Sequence, residues 1–511
     1  MNRHDKLLER YQVGPYDILV KTKEETSPEF HYEAKPRVKP ESEATISETE
    51  ESIRKSCLSQ PLESIPKFED LVTTRLNFAL SLIHEKLLPA EANAVAQIAA
   101  FKSLGLEPIF PFLLDENVEE IFQDRPGEAI YLDHRKWGRC RTDVILSPKE
   151  ISAIKTRICS ESGFPLDSTS PSIKTEMLST RFQARFSVDI PPLAYDGPHM
   201  DIRKLRTRHF TLPELISNGT ISVEASAYLY YCLVRRQNIC VIGEPSAGKT
   251  TLINALDITT LPHWRKLTIE DVVESINQST LGFHQVRFKV APIESARTGE
   301  EKEREIIKLL HRAPDYIYLG EVQTAAHSRA MFHALSSGLK GLETCHAPSP
   351  EQAIRRWVLH HRVPINCIHD LDVIVCMSRT LGAGPQKRRV VRISEIEEPV
   401  SRGRVALDES TIVIRDIFDW DPEGARLERA CELLESPVVR KISRTESLTN
   451  SIFKEEFSAY VDIFSLLSQR RKFSVRQNAR IFRFICLERI RRGGLGCHSW
   501  PQIVEEVRKR I

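Results

Sequence analysis

The sequence predicts an α/β protein organised around a phosphate-binding loop, and three observations carry that prediction. From about Ile221 onward, short apolar runs alternate with helical patterns, as in a parallel sheet with crossover helices. The first of those runs, Asn238-Ile-Cys-Val-Ile-Gly, leads into Glu-Pro-Ser-Ala-Gly-Lys-Thr-Thr-Leu-Ile-Asn-Ala-Leu, which reads as strand, glycine-bracketed loop and helix. The 511 residues are 41% hydrophobic and 28% charged, the balance of a globular chain of about two to four domains.

Gly243 and Gly248, followed by Lys249 and Thr250, satisfy the pattern G-x-x-x-x-G-K-[ST]. Glycines let the backbone curl so that successive N–H groups face phosphate oxygens, and the following helix adds its positive end. Lys249 can then reach the terminal phosphates, and the Thr250 hydroxyl can ligate Mg²⁺. The bland alternative is a turn between core elements; the strand–loop–helix context favours a nucleoside triphosphate instead. The candidate binding residues are Gly243, Glu244, Pro245, Ser246, Ala247, Gly248, Lys249, Thr250 and Thr251.

The formal charge of +2, from 72 basic and 70 acidic residues, argues against bulk electrostatic binding of nucleic acid. The eleven cysteines include no C-x-x-C pair, so they predict reduced thiols in a cytoplasmic protein rather than a zinc site or a disulfide framework. No apolar run approaches the roughly 18 residues that span a bilayer. The opening Met-Asn-Arg-His-Asp-Lys-Leu-Leu-Glu-Arg lacks the apolar core of a signal peptide, so any membrane role is expected to be peripheral.

In chain order, residues 16–20 and 30–34 predict a hairpin. Residues 36–52, rich in Pro, Ser, Thr and Glu, predict a flexible linker. Leu71, Val72, Leu76, Ala79, Leu80 and Ile83 recur at helical spacing between Phe68 and Leu88, and a second helix is expected over Glu91–Leu104. Strand-like runs follow at Glu128–Leu132, Arg181–Val188 and Met200–Lys204, interrupted by a helical pattern at Pro148–Ser162. After the loop strand, further strands are expected at Trp264–Ile269, Tyr316–Leu319, Leu342–Cys345 and Asp372–Met377, with helices at Glu303–Arg312, Ala326–Ser337 and Pro350–His361. Lys387–Ile396 predicts an antiparallel addition. A polar break from Ser443 to Ser451 leads to a helical tail with Phe457, Ile463, Phe464 and Leu467. A second tail helix carries Arg476, Arg480, Arg483, Arg489, Arg491 and Arg492, either a solvated face or a contact for an anionic membrane or partner. The expected domains are 1–110 (hairpin, flexible linker and small helical unit), 111–210 (α+β), 211–440 (α/β nucleotide domain) and 441–511 (helical tail).

Three clusters beyond the loop suit nucleotide chemistry. Thr268-Ile269-Glu270-Asp271 ends a strand, where acids can hold Mg²⁺ or orient water, or simply finish the strand. In Arg312-Ala-Pro-Asp-Tyr-Ile-Tyr-Leu-Gly-Glu321-Val, Glu321 leaves a buried strand at the edge where open α/β sheets bind ligands. In Leu342-Glu-Thr-Cys-His346-Ala, His346 ends another strand on that edge; it can be structural, or it can sense the nucleotide state.

The order of these motifs resembles the Walker A, Asp box, Walker B and His box of the secretion-superfamily ATPases, the motors of type II and type IV secretion, type IV pili and the archaellum. The archaeal branch fits best. Ile202-Arg203-Lys204-Leu205, Phe210 to Ile216 and Gly219 to Ser222 resemble its interdomain linker. Val118 to Ile121, Ile130 to Arg135, Arg157 to Leu166 and Ser179 to Ala184 resemble its N-terminal domain. The likeness covers roughly residues 10–420.

It implies a RecA-like P-loop ATPase domain preceded by an α+β N-terminal domain, with ATP and Mg²⁺ as cofactors. It also implies phosphate and Mg²⁺ binding by Lys249 and Thr250, a catalytic, metal-adjacent carboxylate at Glu321, the Asp-box acid at Glu270 and the His-box residue at His346. Arg181 and Arg203 are its candidates for arginines brought to the nucleotide by the N-terminal domain. The implied assembly is a homohexamer at the inner face of the cell membrane, working with a polytopic platform protein and a pilin-like filament system. No sequence-specific nucleic acid is expected.

Two departures stand out: Gln323-Thr324 where the family usually writes Arg-Gly, and Leu339 in place of the His of its usual Thr-Gly-His. The favoured expectation is an ATPase motor for a type IV pilus-like or archaellum filament or for type II secretion. The alternatives are a type IV secretion motor exporting protein or DNA, or a nucleotide-binding regulatory subunit that hydrolyses little.

Overall fold

The structure is a computed structural model that describes residues 5–23, 29–58, 68–205, 208–290, 301–379, 387–397, 412–470, 473–491 and 500–511. These fall into two units, which divide between Leu205 and Arg208.

The first unit is built on a nine-stranded sheet. Its strands are β1 (Asp5–Val13), β2 (Tyr16–Lys23), β3 (Phe30–Pro36), β4 (Val118–Gln123), β5 (Ala129–His134), β6 (Gly138–Ile145), β7 (Ser172–Leu178), β8 (Gln183–Asp189) and β9 (His199–Lys204). They lie in the order β1-β2-β3-β6-β5-β4-β9-β8-β7. The expected hairpin forms, with Ile18 paired to Ala34 and Val20 to Tyr32, and β1 extends it. Parts expected as separate, a hairpin with helices and an α+β region, therefore share one sheet.

Its helices are α1 (Ser42–Leu58), α2 (Phe68–Ile83), α3 (Pro89–Ser103), α4 (Phe110–Leu114) and α5 (Pro148–Ser162). Helix α1 overturns the flexible linker expected over 36–52. Ile46, Thr49 and Ile53, at helical spacing, are buried on the side packed along α3. Glutamates that read as linker composition pair along the helix instead, Glu50 with Arg54 and Glu51 with Lys55. Helix α2 stops at Ile83, short of Leu88, and Pro89 opens α3 from its first turn. Helix α5 keeps its expected limits because the Ser147–Glu150 capping box starts it and left-handed Gly163 ends it.

The second unit carries α6 (Leu212–Ser217), α7 (Val223–Leu233), β10 (Ile239–Gly243), α8 (Lys249–Asp257), β11 (Lys266–Glu270), β12 (Gln285–Lys289), α9 (Glu301–Lys308), β13 (Tyr316–Val322), α10 (Ala325–Ser336), β14 (Gly341–His346), α11 (Pro350–Arg355) and β15 (Val373–Arg379). It continues with β16 (Arg388–Glu397), β17 (Val413–Asp421), β18 (Arg426–Arg429), α12 (Pro437–Thr445), α13 (Asn450–Ser468), α14 (Val475–Arg491) and α15 (Trp500–Arg510). The sheet order is β12-β11-β13-β14-β10-β15-β16-β17-β18. Strands β12 to β15 are mutually parallel, and β16 adds antiparallel to β15 as expected. This is the RecA-like arrangement, in which β14 separates the loop strand β10 from β13.

Strands β10 and β15 are apolar on both faces because both faces are covered. Residues of α7, α8 and α13 fill one side, and residues of α9, α10 and α11 the other. The tail is part of this core: Phe453, Tyr460 and Phe464 of α13 pack around Tyr230 and Tyr231. On α14, Phe482 and Ile485 are buried while Arg476, Arg480, Arg483 and Arg491 are exposed, a solvated basic face. Arg492 and the side chain of Arg489 lie outside the described residues. Among the described residues, no helix is long and apolar enough to cross a membrane.

Candidate functional site at the strand ends

Gly243 closes β10 with φ +155°, and a Cβ there would stand 2.5 Å from the Met377 carbonyl oxygen. Gly248 caps α8 at φ +99°, a left-handed conformation that favours glycine. Between them Glu244 and Pro245 are exposed, Ser246 is half-buried at φ +60°, and Ala247 is buried. Arg388 of the neighbouring strand β16 pins the loop by donating from Nε to Ser246 O (2.7 Å). Thr250 and Thr251 occupy the first turn of α8; the buried Thr251 Oγ1 has no hydrogen-bond partner among the described residues.

Parallel pairing brings the motif residues together. Gly243 is in register with His346, and Glu321 with Thr344, so the loop, Glu321 and His346 share one edge. Lys249 Nζ donates to the Gly243 and Glu244 carbonyls (3.1 and 2.9 Å) and reaches His346 Nδ1 at 3.1 Å. The Nε2 of the same ring contacts Glu321 Oε1. One tautomer satisfies both contacts: Nδ1 accepts from Lys249 and Nε2–H donates to Glu321.

Burial works against ionisation of Glu321, but His346, Gln323 and Lys249 outweigh it and hold the carboxyl at about 2. Glu270, at the end of β11, goes the other way. Burial lifts it to about 7, even though it accepts from Ser275 Oγ (2.5 Å) and from the backbone N–H groups of Ser275 and Glu274.

Four side chains at this edge carried no sign in the sequence. Lys302, 3% exposed, donates from Nζ to Asp271 Oδ1 (3.2 Å) and to the Glu321 carbonyl (2.6 Å). Arg356, in a wide turn after α11, donates to the carbonyls of His346 (2.8 Å) and Gln323 (2.9 Å). His327, buried on α10, has no hydrogen-bond partner for either ring nitrogen among the described residues, and burial with nearby Lys302 pushes it down to about 4. The fourth is Arg388. Of the two departures, Gln323 hydrogen-bonds Glu321, whereas Leu339 packs against the apolar core.

Arg181 and Arg203 belong to the first unit. Arg181 precedes β8, with its backbone N–H on Ser179 Oγ, and Arg203 is half-exposed on β9 facing Glu120 at 3.7 Å.

The site fits a nucleotide with Mg²⁺. The loop leaves no room for side chains at its closest approach, a cation lies at its base, and a hydroxyl residue and an ionised carboxylate flank it. Among the described residues no cluster of three His, Cys, Asp or Glu side chains is placed to hold a metal ion.

The family model described as type II/IV secretion system protein matches residues 165–378. The uncharacterized protein MJ1287 of Methanocaldococcus jannaschii is 32% identical over 235 residues, covering 45% of this chain and 81% of that protein. The chain belongs to the type II/IV secretion system protein family. A second relative from that organism, the uncharacterized protein MJ0900, is 27% identical over 344 residues; the match covers 67% of this chain but only 60% of that protein's length. The type IV secretion system protein PtlH of Bordetella pertussis is 26% identical over 329 residues, covering 56% of this chain and 93% of PtlH. Members of this secretion family are ATPases of the motor type, and the family match spans the loop, Glu270, Glu321 and His346.

Proposed function

We propose that this chain is a Mg²⁺-dependent ATPase motor that works as a homohexamer on a membrane-bound assembly or secretion machine. One observation carries the reading: Lys249, His346 and Glu321 form a continuous contact chain from the phosphate loop to an ionised carboxylate. Bound there, the nucleotide and its Mg²⁺ supply the phosphoryl group and a divalent charge.

The chain's own residues do the rest. The backbone from Gly243 to Thr251 cradles the phosphates, Lys249 neutralises them, and Thr250 and Glu321 flank the metal. With its carboxyl at about 2, Glu321 is too weak a base to keep a proton at neutral pH, so it orients water rather than holding its proton. Glu270, at about 7, exchanges a proton near neutrality from the adjacent strand end. His346 couples the two halves, since any displacement of Lys249 toward phosphate changes what its Nδ1 meets while Nε2 stays on Glu321. Arg181 and Arg203 are the arginines proposed to offset charge on the transferring group.

The work proposed is assembly of a type IV pilus-like or archaellum filament or type II secretion, through a polytopic platform protein at the inner face of the membrane. PtlH favours a second reading, a type IV secretion motor, because this chain matches 93% of a protein bearing that name. The test is Mg²⁺-dependent ATP hydrolysis across a protein concentration series, beside Glu321→Gln. Turnover that rises cooperatively with concentration and collapses in the variant supports an assembling motor. Tight ATP binding without turnover, even with membranes added, means a regulatory nucleotide-binding subunit instead.

A further inference from the structure

We infer that Lys302 is a positioning residue that ties together the two acidic strand ends of the site, β11 and β13, and so aims Glu321. The inference rests on the ATPase reading for its kinetic consequence, but not for its structural one. An ammonium that is 3% exposed needs close partners, because burying it without them costs several kcal/mol. Lys302 has two, and each belongs to a different strand end: the Asp271 carboxylate just beyond β11 and the Glu321 carbonyl on β13.

The surroundings make this a fixed strut. Lys302 sits in the first turn of α9, whose Ile306 is fully buried and which packs on α10. From α10 the neutral His327 ring faces the same region without competing for either partner. On the far side, Arg356 holds the carbonyls of Gln323 and His346. The backbone that carries Glu321 is therefore held at two successive points, its own carbonyl by Lys302 and the Gln323 carbonyl by Arg356. A clamped backbone fixes where the Glu321 carboxylate meets His346, and errors of about 1 Å in such placement cost on the order of 100-fold in rate. Among the described residues the hydrogen-bond partners of Lys302 are Asp271 and the Glu321 carbonyl, so its effect passes through them.

The test compares Lys302→Met and Lys302→Arg in the full chain, reading kcat, KM for ATP and amide hydrogen exchange. Lys302→Met should lower kcat by about 10- to 100-fold with KM changed less than about threefold, and Lys302→Arg should recover most of the loss. Exchange should quicken in peptides spanning 266–275 and 316–324 for Lys302→Met only. Wild-type kinetics in Lys302→Met, or faster exchange throughout the second unit in both variants, would overturn the inference. If the wild-type protein proves unable to hydrolyse ATP, the ATPase reading fails. The exchange pattern then decides alone: local quickening at both strand ends supports the strut, and its absence refutes it. Should Lys302→Met not fold, Lys302→Gln keeps a hydrogen-bond donor without the charge and gives the same comparison.

Discussion

Glu321 and Glu343 stand on adjacent strands one register step apart, since Glu321 pairs with Thr344. They have opposite chemistry. Glu321, at the strand end, meets His346, Gln323 and Lys249, and its carboxyl sits at about 2. Glu343, in the middle of β14, is fully buried with no hydrogen-bond partner on either oxygen among the described residues; burial, aided by Asp372 and opposed by Lys340, lifts it to about 8. Glu270 lies between these extremes, buried but with three donors, at about 7. Burial alone therefore does not mark a working carboxylate. What sets Glu321 apart is its company, the His346 ring, Gln323 and the loop lysine; Glu270 has donors but no such cation among its causes, and burial prevails there.

The largest effect that can break this contrast is kinetic. Glu321→Gln should lower kcat by about 10³-fold while leaving ATP affinity within about threefold, because the loop and Lys249, the proposed phosphate contacts, are untouched. Glu343→Gln should leave kcat within about twofold. Single-turnover hydrolysis and nucleotide titration check both, and equal losses in the two variants would erase the distinction drawn here.

A smaller effect sharpens the interior half of the comparison. Glu343 has a folded value of about 8 against an ordinary 4.5, so its contribution to stability is complete below about pH 4.5 and is lost as pH rises through 8. At neutral pH the unfolded chain releases this proton and the folded chain keeps it. Glu343→Gln has no such proton, so relative to wild type it should gain roughly 3–5 kcal/mol between pH 5 and pH 8. Urea denaturation at those two pH values measures the difference, and parallel pH dependence in both proteins would show that Glu343 titrates normally.

The same division between edge and interior governs what could be read from the sequence. The phosphate loop, Glu321 and His346 were legible because each motif is local: an apolar strand followed at once by the residue that leaves it. Lys302 and Arg356 were not, because their partners are brought to them by topology, Asp271 from 31 positions away and Gln323 from 33. Most strand and helix cores were legible from periodicity, including the α5 limits that its caps enforce. The stretch at 36–52 misled because its Glu and Ser content outweighed Ile46, which with Ile53 just beyond the stretch is buried on the face packed along α3. Short amphipathic strands such as β12 and β17 escaped for a related reason: β12 has no fully buried position to give an apolar run, and β17 has only two.

The smallest expected effect concerns Gln323, where the chain departs from the family's usual arginine. Its side chain is one of several groups that lower Glu321, and His346 is the larger one. Its backbone carbonyl, held by Arg356, is independent of the side chain. Gln323→Ala should therefore reduce kcat by about threefold or less, the loss of one hydrogen bond to a charged group that keeps its other partners. The sign of the pH effect follows as well. Glu321 moves upward from about 2 but stays ionised, so the kcat profile between pH 5 and 9 should keep its shape. His346→Ala removes the stronger partner and should cost more, roughly 10- to 100-fold, with an acid limb that moves to higher pH. If Gln323→Ala instead matched His346→Ala in both magnitude and profile, the side chain at 323, not the ring at 346, would be the group that sets the charge of the strand end.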